Sequence, residues 1–355
     1  MLIRSYRPED TKAIVRIWNR CVDAGEVLYF SQTEESFRRI FLTGEGRNPD
    51  LLLIAEEDGR IVGMIQGVAP DSFRGCAPES AYLTVLMVDV DFRGRGIGRS
   101  LLEALARRMV PLGARRFLIS NMNPVQLSWR IPGAPGHDHN NMPGADSAIP
   151  GYGFLEHMGF SVTYRNMAMY RPLADYSMPE EVKALREKLK EQGMIVGPYD
   201  ARLNCDYDSL CDHVNSEYWR DVLRSEIQAL KEDRPNADER MWADGVPPKG
   251  PRMLLTAVHG SRIVAFTGPV DLQSSGRGWF TGICTDPAYE GRGIATVLFH
   301  LLMDAFVREG AAFTTLFTGV ENHAQKIYLR AGLRPVREFH LMTLSLSGQD
   351  GAEPD

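Results

Sequence analysis

The chain has 355 residues, is 44% hydrophobic and 24% charged, and carries a formal net charge of −6; this length leads us to expect two domains, each able to bury a core of its own. The charge is balanced as far as Asp175 and acidic beyond it, which argues against nucleic acid as the main partner. No apolar run reaches the roughly 18 residues of a membrane span, the charged start MLIRSYRPED lacks a signal-like apolar stretch, and five scattered cysteines without a Cys-x-x-Cys pair suggest neither disulfides nor zinc, so the expected setting is the cytoplasm with no membrane partner.

Taken in chain order, the first clear element is a hairpin, Leu51 to Pro70, with two apolar runs around Asp58-Gly59. A third apolar strand, Ala81–Val88, runs into a loop Arg93-Gly94-Arg95-Gly96-Ile97-Gly98, which opens a helix with Ile97, Leu101, Leu102, Leu105 and Met109 at helical spacing. A short strand, Arg116–Ser120, follows. Residues 121–152 are then rich in proline and glycine with little periodicity and read as a loop. HMGF, His157–Phe160, ends the half. Pro179 starts a charged helix that Gly193 ends, read as a linker.

The plan then repeats. A hairpin, Met253–Val270, turns at His259-Gly260-Ser261. A strand, Gly278–Thr285, meets a loop Glu290-Gly291-Arg292-Gly293-Ile294-Ala295. An amphipathic helix, the strand Phe313–Thr318 and RAGL, Arg330–Leu333, complete the set. The reading gives a first domain at 1–175 with an insertion at about 121–152, a linker at 176–193, a second domain at 194–346 and a disordered tail at 347–355.

A strand followed by a glycine-rich loop and a helix suits a pyrophosphate, because glycine allows close approach and the helix start offers free N–H groups with the positive end of a dipole. A nucleotide P-loop needs Gly-Lys-Ser/Thr, absent from both loops. A dinucleotide fingerprint needs Gly-x-Gly-x-x-Gly in a βαβ unit, whereas here the spacing is Gly-x-Gly-x-Gly after a hairpin. The pyrophosphate arm of coenzyme A is the third possibility.

These segments resemble motif A of the GNAT superfamily of N-acetyltransferases, Arg/Gln-x-x-Gly-x-Gly/Ala, and the chain resembles a tandem of two such domains. Arg93, Gly96 and Gly98 fit in the first half, with Val90 where the family prefers proline. Pro287, Gly293 and Ala295 fit in the second, with Glu290 at the Arg/Gln position. The resemblance implies an α/β (α+β) fold, each domain a mixed, mostly antiparallel sheet flanked by helices. It implies that the backbone of Gly94, Arg95, Gly96, Ile97 and Gly98, and of Gly291, Arg292, Gly293, Ile294 and Ala295, binds acetyl-CoA, and that N–H groups near Val88 and Thr285 meet the oxyanion. No metal is expected.

Acyl transfer to an amine needs a neutral amine, a stabilised oxyanion and a proton for the leaving thiolate. ENHAQKIYLRAGL resembles the family's motif B, which implies that Asn322 contacts the coenzyme and Tyr328 protonates the thiolate. In the first half Leu155 stands at the place of Tyr328, and Tyr152 is three residues away, a different helical position. Asp271, just after the second hairpin, is the candidate general base and otherwise reads as a turn residue, and His259 is expected to be exposed. His137-Asp138-His139 lacks a third metal ligand and reads as a polar loop; with Trp129 it is also a candidate substrate contact.

The expectation is therefore an acyl-CoA-dependent N-acyltransferase that moves acetyl from acetyl-CoA to a primary amine of a small molecule through a tetrahedral intermediate. A mycothiol-synthase-like or protein N-terminal acetyltransferase, and an acyl-CoA sensor or scaffold without catalysis, are the alternatives. An oligomer is possible but not expected.

Overall fold

A computed structural model describes residues 1–346; the expected tail at 347–355 lies outside them. The chain forms two compact units, Met1–Ala168 together with the segment from Val336, and Met169–Pro335.

In the first unit, β1 (Leu2–Ser5), α1 (Thr11–Asp23), α2 (Glu34–Leu42), β2 (Leu52–Glu57), β3 (Arg60–Val68), β4 (Ser80–Val88), α3 (Ile97–Met109) and β5 (Arg116–Ile119) follow in order. β1 to β4 pair antiparallel, and β4 and β5 pair parallel. One layer of core lies between the sheet and α1/α2, where Ile14, Trp18, Phe37 and Phe41 pack on Ile54, Met64 and Val85. The opposite layer lies beneath α3, where Ile97, Leu101, Leu102, Leu105 and Met109 meet Leu53, Ile65 and Phe117. Both helices bury residues three and four apart, as an amphipathic helix on a sheet must.

The insertion is ordered. Asn123, Val125, Leu127, Trp129 and Ile131 are buried and the residues between them mostly exposed, which is the alternation of a half-buried extended strand. β6 (Trp129–Arg130) pairs with β7 (Asp138–His139), and β8 (Ala145–Asp146) follows. Trp129 is fully buried, its Nε1 donating to the Asn141 carbonyl at 2.8 Å and its ring edge-on to Phe339. α4 (Tyr152–His157) leads into β9 (Ser161–Pro172), which starts in the first unit and ends in the second.

In the second unit, α5 (Glu180–Glu191) precedes β10 (Met194–Pro198), α6 (Asp208–His213), α7 (Glu217–Glu232), β11 (Leu255–His259) and β12 (Arg262–Gly268). Then come β13 (Asp271–Leu272), β14 (Arg277–Trp279), β15 (Gly282–Thr285), α8 (Ile294–Arg308), β16 (Phe313–Gly319), α9 (Gln325–Arg330) and β17 (Arg334–Ser345). β10, β11, β12 and β15 form an antiparallel sheet, and β14 pairs parallel with β16. The helix read from sequence as a linker, α5, packs on α8 and β10 through Val182 and Leu189. α8 buries Phe299, His300 and Met303 in addition to its expected stripe; Phe299 packs on Phe280 and Tyr328 and His300 on Tyr176, since a helix apolar on most sides must be covered on most sides.

β17 departs most from the division drawn on sequence. From Val336 onward it belongs to the first unit. Met342, Thr343, Leu344 and Ser345 pair antiparallel with Ile119, Leu118, Phe117 and Arg116 of β5. β5 has β4 on one edge, and the strand that covers its other edge comes from the end of the chain. Phe339 is fully buried there. Phe339→Ala should destabilise the first unit by about 3–5 kcal/mol, read as a lowered denaturation midpoint, with amide exchange accelerating in β4 and β5 rather than in β10 to β12.

Candidate functional site

The two glycine-rich loops have the same backbone. In each, a buried aspartate accepts a hydrogen bond from the backbone N–H two residues on, Asp89 from Asp91 and Asp286 from Ala288. A single 3-10 turn follows, Val90–Phe92 or Pro287–Tyr289. Val90 therefore adopts the turn that proline takes at 287. Gly94 and Gly291 have φ of 74° and 73°, and the helix N-caps Gly96 and Gly293 have φ of 79° and 83°. A side chain would be strained at these positions. Arg95 lies over the Phe92 ring and Arg292 over the Tyr289 ring. Ile97 and Ile294 are buried beneath their helices.

The aspartates that hold the loops were missed in the sequence reading, although Asp89 and Asp286 occupy equivalent places in the repeat. Asp89, with no exposed surface, pairs with Arg20 at 2.5 Å and Arg60 at 3.3 Å. Asp286 pairs with His213 Nδ1 at 2.8 Å.

In the first unit, β4 and β5 pair only at Ser80–Arg116, Ala81–Phe117 and Tyr82–Leu118. Beyond Tyr82 they part. The Asp89 N–H donates to Val62 of β3, so by strand alternation the backbone groups of Val88 and Leu86 face the open edge. A cavity of about 640 Å³ fills the gap. Val88, Arg93, Gly94, Gly96, Ile97 and Gly98 line one part of it. Nothing lies within 4 Å of where a Cβ at Gly94 or Gly96 would stand, so the helix start is open to a ligand. A Cβ at Gly98 would come within 3.3 Å of the Phe154 ring.

Arg93 is largely committed to the protein. Its guanidinium pairs with Glu26 at 2.6 Å, donates to Cys21 Sγ at 3.4 Å and to the Val88 carbonyl at 3.1 Å. Leu155 lines the cavity. Tyr152 instead turns its hydroxyl to His340 Nδ1, while His340 Nε2 lies 2.9 Å from Glu338 Oε1. His139 is buried against Trp129 and its Nδ1 accepts from the Asn141 N–H, so this ring helps to fold the insertion. Two further residues line the cavity without any motif to mark them, Tyr29 and Asp146.

In the second unit, Tyr328 is buried with its ring on Phe299, and burial pushes its hydroxyl up to about 12. Asn322 Oδ1 accepts from the Ala324 N–H and shapes the turn into α9. Asp271 is held by Arg252 at 2.8 Å, and Arg252 also pairs with fully buried Glu226. This carboxylate is one arm of an ion network rather than a free base. His259 is not a free turn residue either; its Nδ1 lies 2.9 Å from the Tyr289 hydroxyl. Thr285 Oγ1 is buried without a hydrogen bond. Glu290 is exposed. A Cβ on Gly293 would stand 2.7 Å from Leu185 of α5, and one on Gly282 would stand 2.5 Å from the Trp219 ring. The two loops thus share a backbone but differ in what covers them.

Asp89→Ala removes the carboxylate that holds the loop, while Arg20 and Arg60 are partly exposed and Arg20 keeps Asp91. It should cost about 1–3 kcal/mol, measurable as a loss of unfolding free energy in denaturant.

The chain matches the acetyltransferase (GNAT) family at two places, residues 12–127 and 216–333. It is 36% identical over 114 residues to an acetyltransferase of Pectobacterium atrosepticum, covering 32% of this chain and 70% of that one. Among solved structures it is similar to a tandem GNAT protein from the clavulanic acid biosynthesis pathway, with a TM-score of 0.53 and 13% identity, covering 98% of this chain and 99% of that one. It is also similar to the GCN5-related glucosamine N-acetyltransferase region of a fungal multi-domain β-N-acetylglucosaminidase, with a TM-score of 0.63 and 15% identity, covering 97% of this chain but 38% of that one. These structural likenesses speak for the fold alone. With the family's domain matched twice and covering most of the sequence, the chain belongs to the GNAT acetyltransferase family as a tandem member.

Proposed function

We propose that the protein transfers acetyl from acetyl-CoA to a primary amine of a small molecule, and that the first unit carries the reaction. The observation behind this is the cavity where β4 and β5 part, with the open glycine loop on its wall. The free N–H groups at the start of α3 suit a pyrophosphate, favoured further by the helix dipole. The open edge of β4 suits the pantetheine arm, and the N–H groups of Leu86 and Val88 are placed to donate to an oxyanion on the thioester carbon. The amine attacks that carbon directly, and the C–S bond breaks as the intermediate collapses. Leu155 leaves no acid at the family's tyrosine position, so the thiolate takes its proton from another source.

A second reading puts chemistry in the second unit. It rests on Tyr328, whose burial keeps the hydroxyl protonated across the working pH range and so able to give a proton. Leu185 against Gly293 weighs against it, because the loop there lacks the open space found at Gly96.

Calorimetric titration of acetyl-CoA separates the two. Gly96→Glu puts a carboxylate where the pyrophosphate would lie and should weaken binding at least about tenfold, or about 1.4 kcal/mol. Gly293→Glu should leave that binding unchanged. Loss of binding in Gly293→Glu alone would transfer the reaction to the second unit. No binding of acetyl-CoA by the parent protein would refute the proposal. Under the first-unit reading, Tyr328→Phe should keep kcat within about twofold, well short of the 10²–10⁴-fold expected on losing a proton donor.

A further inference from the structure

The cavity has two kinds of wall. Leu86, Val88, Ile97, Leu155 and Met158 belong to the layer beneath α3. Val27, Tyr29, Val85, Met87 and Met142 belong to the layer beneath α1 and α2. If the coenzyme lies along the α3 side, the acceptor comes from the other side, and that side is apolar.

One carboxylate stands in it without a full set of partners. Asp146 is 2% exposed and lines the cavity. Its Oδ1 accepts from the Ala148 N–H at 3.0 Å and lies 3.4 Å from Arg337 Nε, while its Oδ2 is buried with no hydrogen bond. Glu26, the other carboxylate of the lining, is closed by Arg93.

The strand register places Asp146 on the wall of the cavity that faces β4. β17 pairs through Met342 with Ile119 of β5, and through His340 and Phe339 with Ala145 and Asp146 of β8. β8 therefore continues the row that β5 leaves, in the same direction. Counted along the rows and past the extra residue that β4 carries at Thr84, Asp146 stands across the gap from the Leu86–Met87 stretch of β4. Paired residues share a face of a sheet, so Asp146 lies on the side of Phe339, which packs on Trp129. Tyr29 bridges Trp129 through its backbone, and burial, with a smaller effect of the Asp146 charge, raises the pKa of its hydroxyl.

We propose that Asp146 is the catalytic base, binding the ammonium of the acceptor and taking its proton, and that the acceptor is a primary amine on an apolar body without a carboxylate beside it. The proposal rests on acetyl transfer in the first unit. Burial raises the Asp146 pKa above that of an ordinary carboxylate, which makes it a better proton acceptor; Arg337 and Tyr29 are the ionisable groups that face it. One ammonium proton passes to Asp146. The amine lone pair then forms the C–N bond to the thioester carbon. As the C–S bond breaks, the thiolate takes the second proton from the nitrogen, and Asp146 returns its own to water. The products are the amide, the free thiol of coenzyme A and one proton released. A carboxylate on the carbon next to the amine would meet apolar walls and repulsion from Asp146.

The test uses 2-phenylethylamine and phenylalanine as acceptors, with acetyl-CoA affinity measured beside turnover. The parent protein should acetylate 2-phenylethylamine and prefer it to phenylalanine by more than about tenfold, the selectivity of about 1.4 kcal/mol. Asp146→Asn should bind acetyl-CoA as the parent does and lose about 10²-fold or more in kcat/KM. Turnover in Asp146→Asn within about threefold of the parent overturns the proposal, as does a parent that binds acetyl-CoA but leaves 2-phenylethylamine untouched or prefers phenylalanine. Should Asp146→Asn also lose acetyl-CoA binding, Asp146→Glu decides: with the carboxylate kept, turnover should stay above about a tenth of the parent, and a fall below about a hundredth overturns the proposal. A parent that fails to bind acetyl-CoA refutes the proposed function itself, a result distinct from all of these.

Discussion

Everything proposed for the first unit depends on β4 and β5 sharing hydrogen bonds at three registers and then parting. A parallel pair that stayed zipped would bury the edge of β4 in a ladder and leave no cleft. Parting leaves backbone groups of β4 unpaired, which is costly unless water or a ligand meets them. Two features hold the gap. On one side Asp89 anchors the end of β4 through Arg20 and Arg60. On the other, β17 keeps β5 in place and passes beyond it to β8, so that the far wall belongs to the insertion.

The second unit shows how little need change for a shared backbone to serve differently. Its loop repeats the dihedral angles of the first closely, with φ of 73° and 83° at Gly291 and Gly293 against 74° and 79° at Gly94 and Gly96, because the same buried aspartate, turn and glycines recur. The difference is in packing. α5 covers α8 and brings Leu185 against Gly293, where Gly96 of the first unit has open space, and Trp219 lies on Gly282. Tyr328, the residue that best fits the family's acid, thus sits in the unit with the more covered loop, while Leu155 sits beside the cavity.

Charges buried in the two units have different work to do. Glu226, Arg252 and Asp271 are held together by ion pairs, although Glu226 Oε2 and Arg252 Nε are buried without a hydrogen bond, and removing any one would strand the others. Asp146 likewise keeps one buried oxygen without a hydrogen bond, but it lines a cavity and Glu226 does not. Access to a cavity, more than residue type, separates a carboxylate that holds a fold from one that can accept a proton.

The repeat of hairpin, strand, loop and helix was legible in the sequence because each element is local. Turn residues, a period of two and a period of 3.6 are written in neighbouring positions. The insertion's strand was also written there, in the alternation of Val125, Leu127, Trp129 and Ile131, but its prolines and glycines masked the period. Three things could not be read. The seat of β17 in the first unit depends on which edge of β5 lacks a partner, a contact more than 200 residues apart in the chain. The cover of Gly293 by Leu185 depends on where α5 docks. The presence of Tyr29 and Asp146 in one cavity depends on strand register across the gap. Local propensity and pattern determined the elements and the glycine-rich loops; long-range pairing and packing decided which loop stays open and which carboxylates line the cavity beside it.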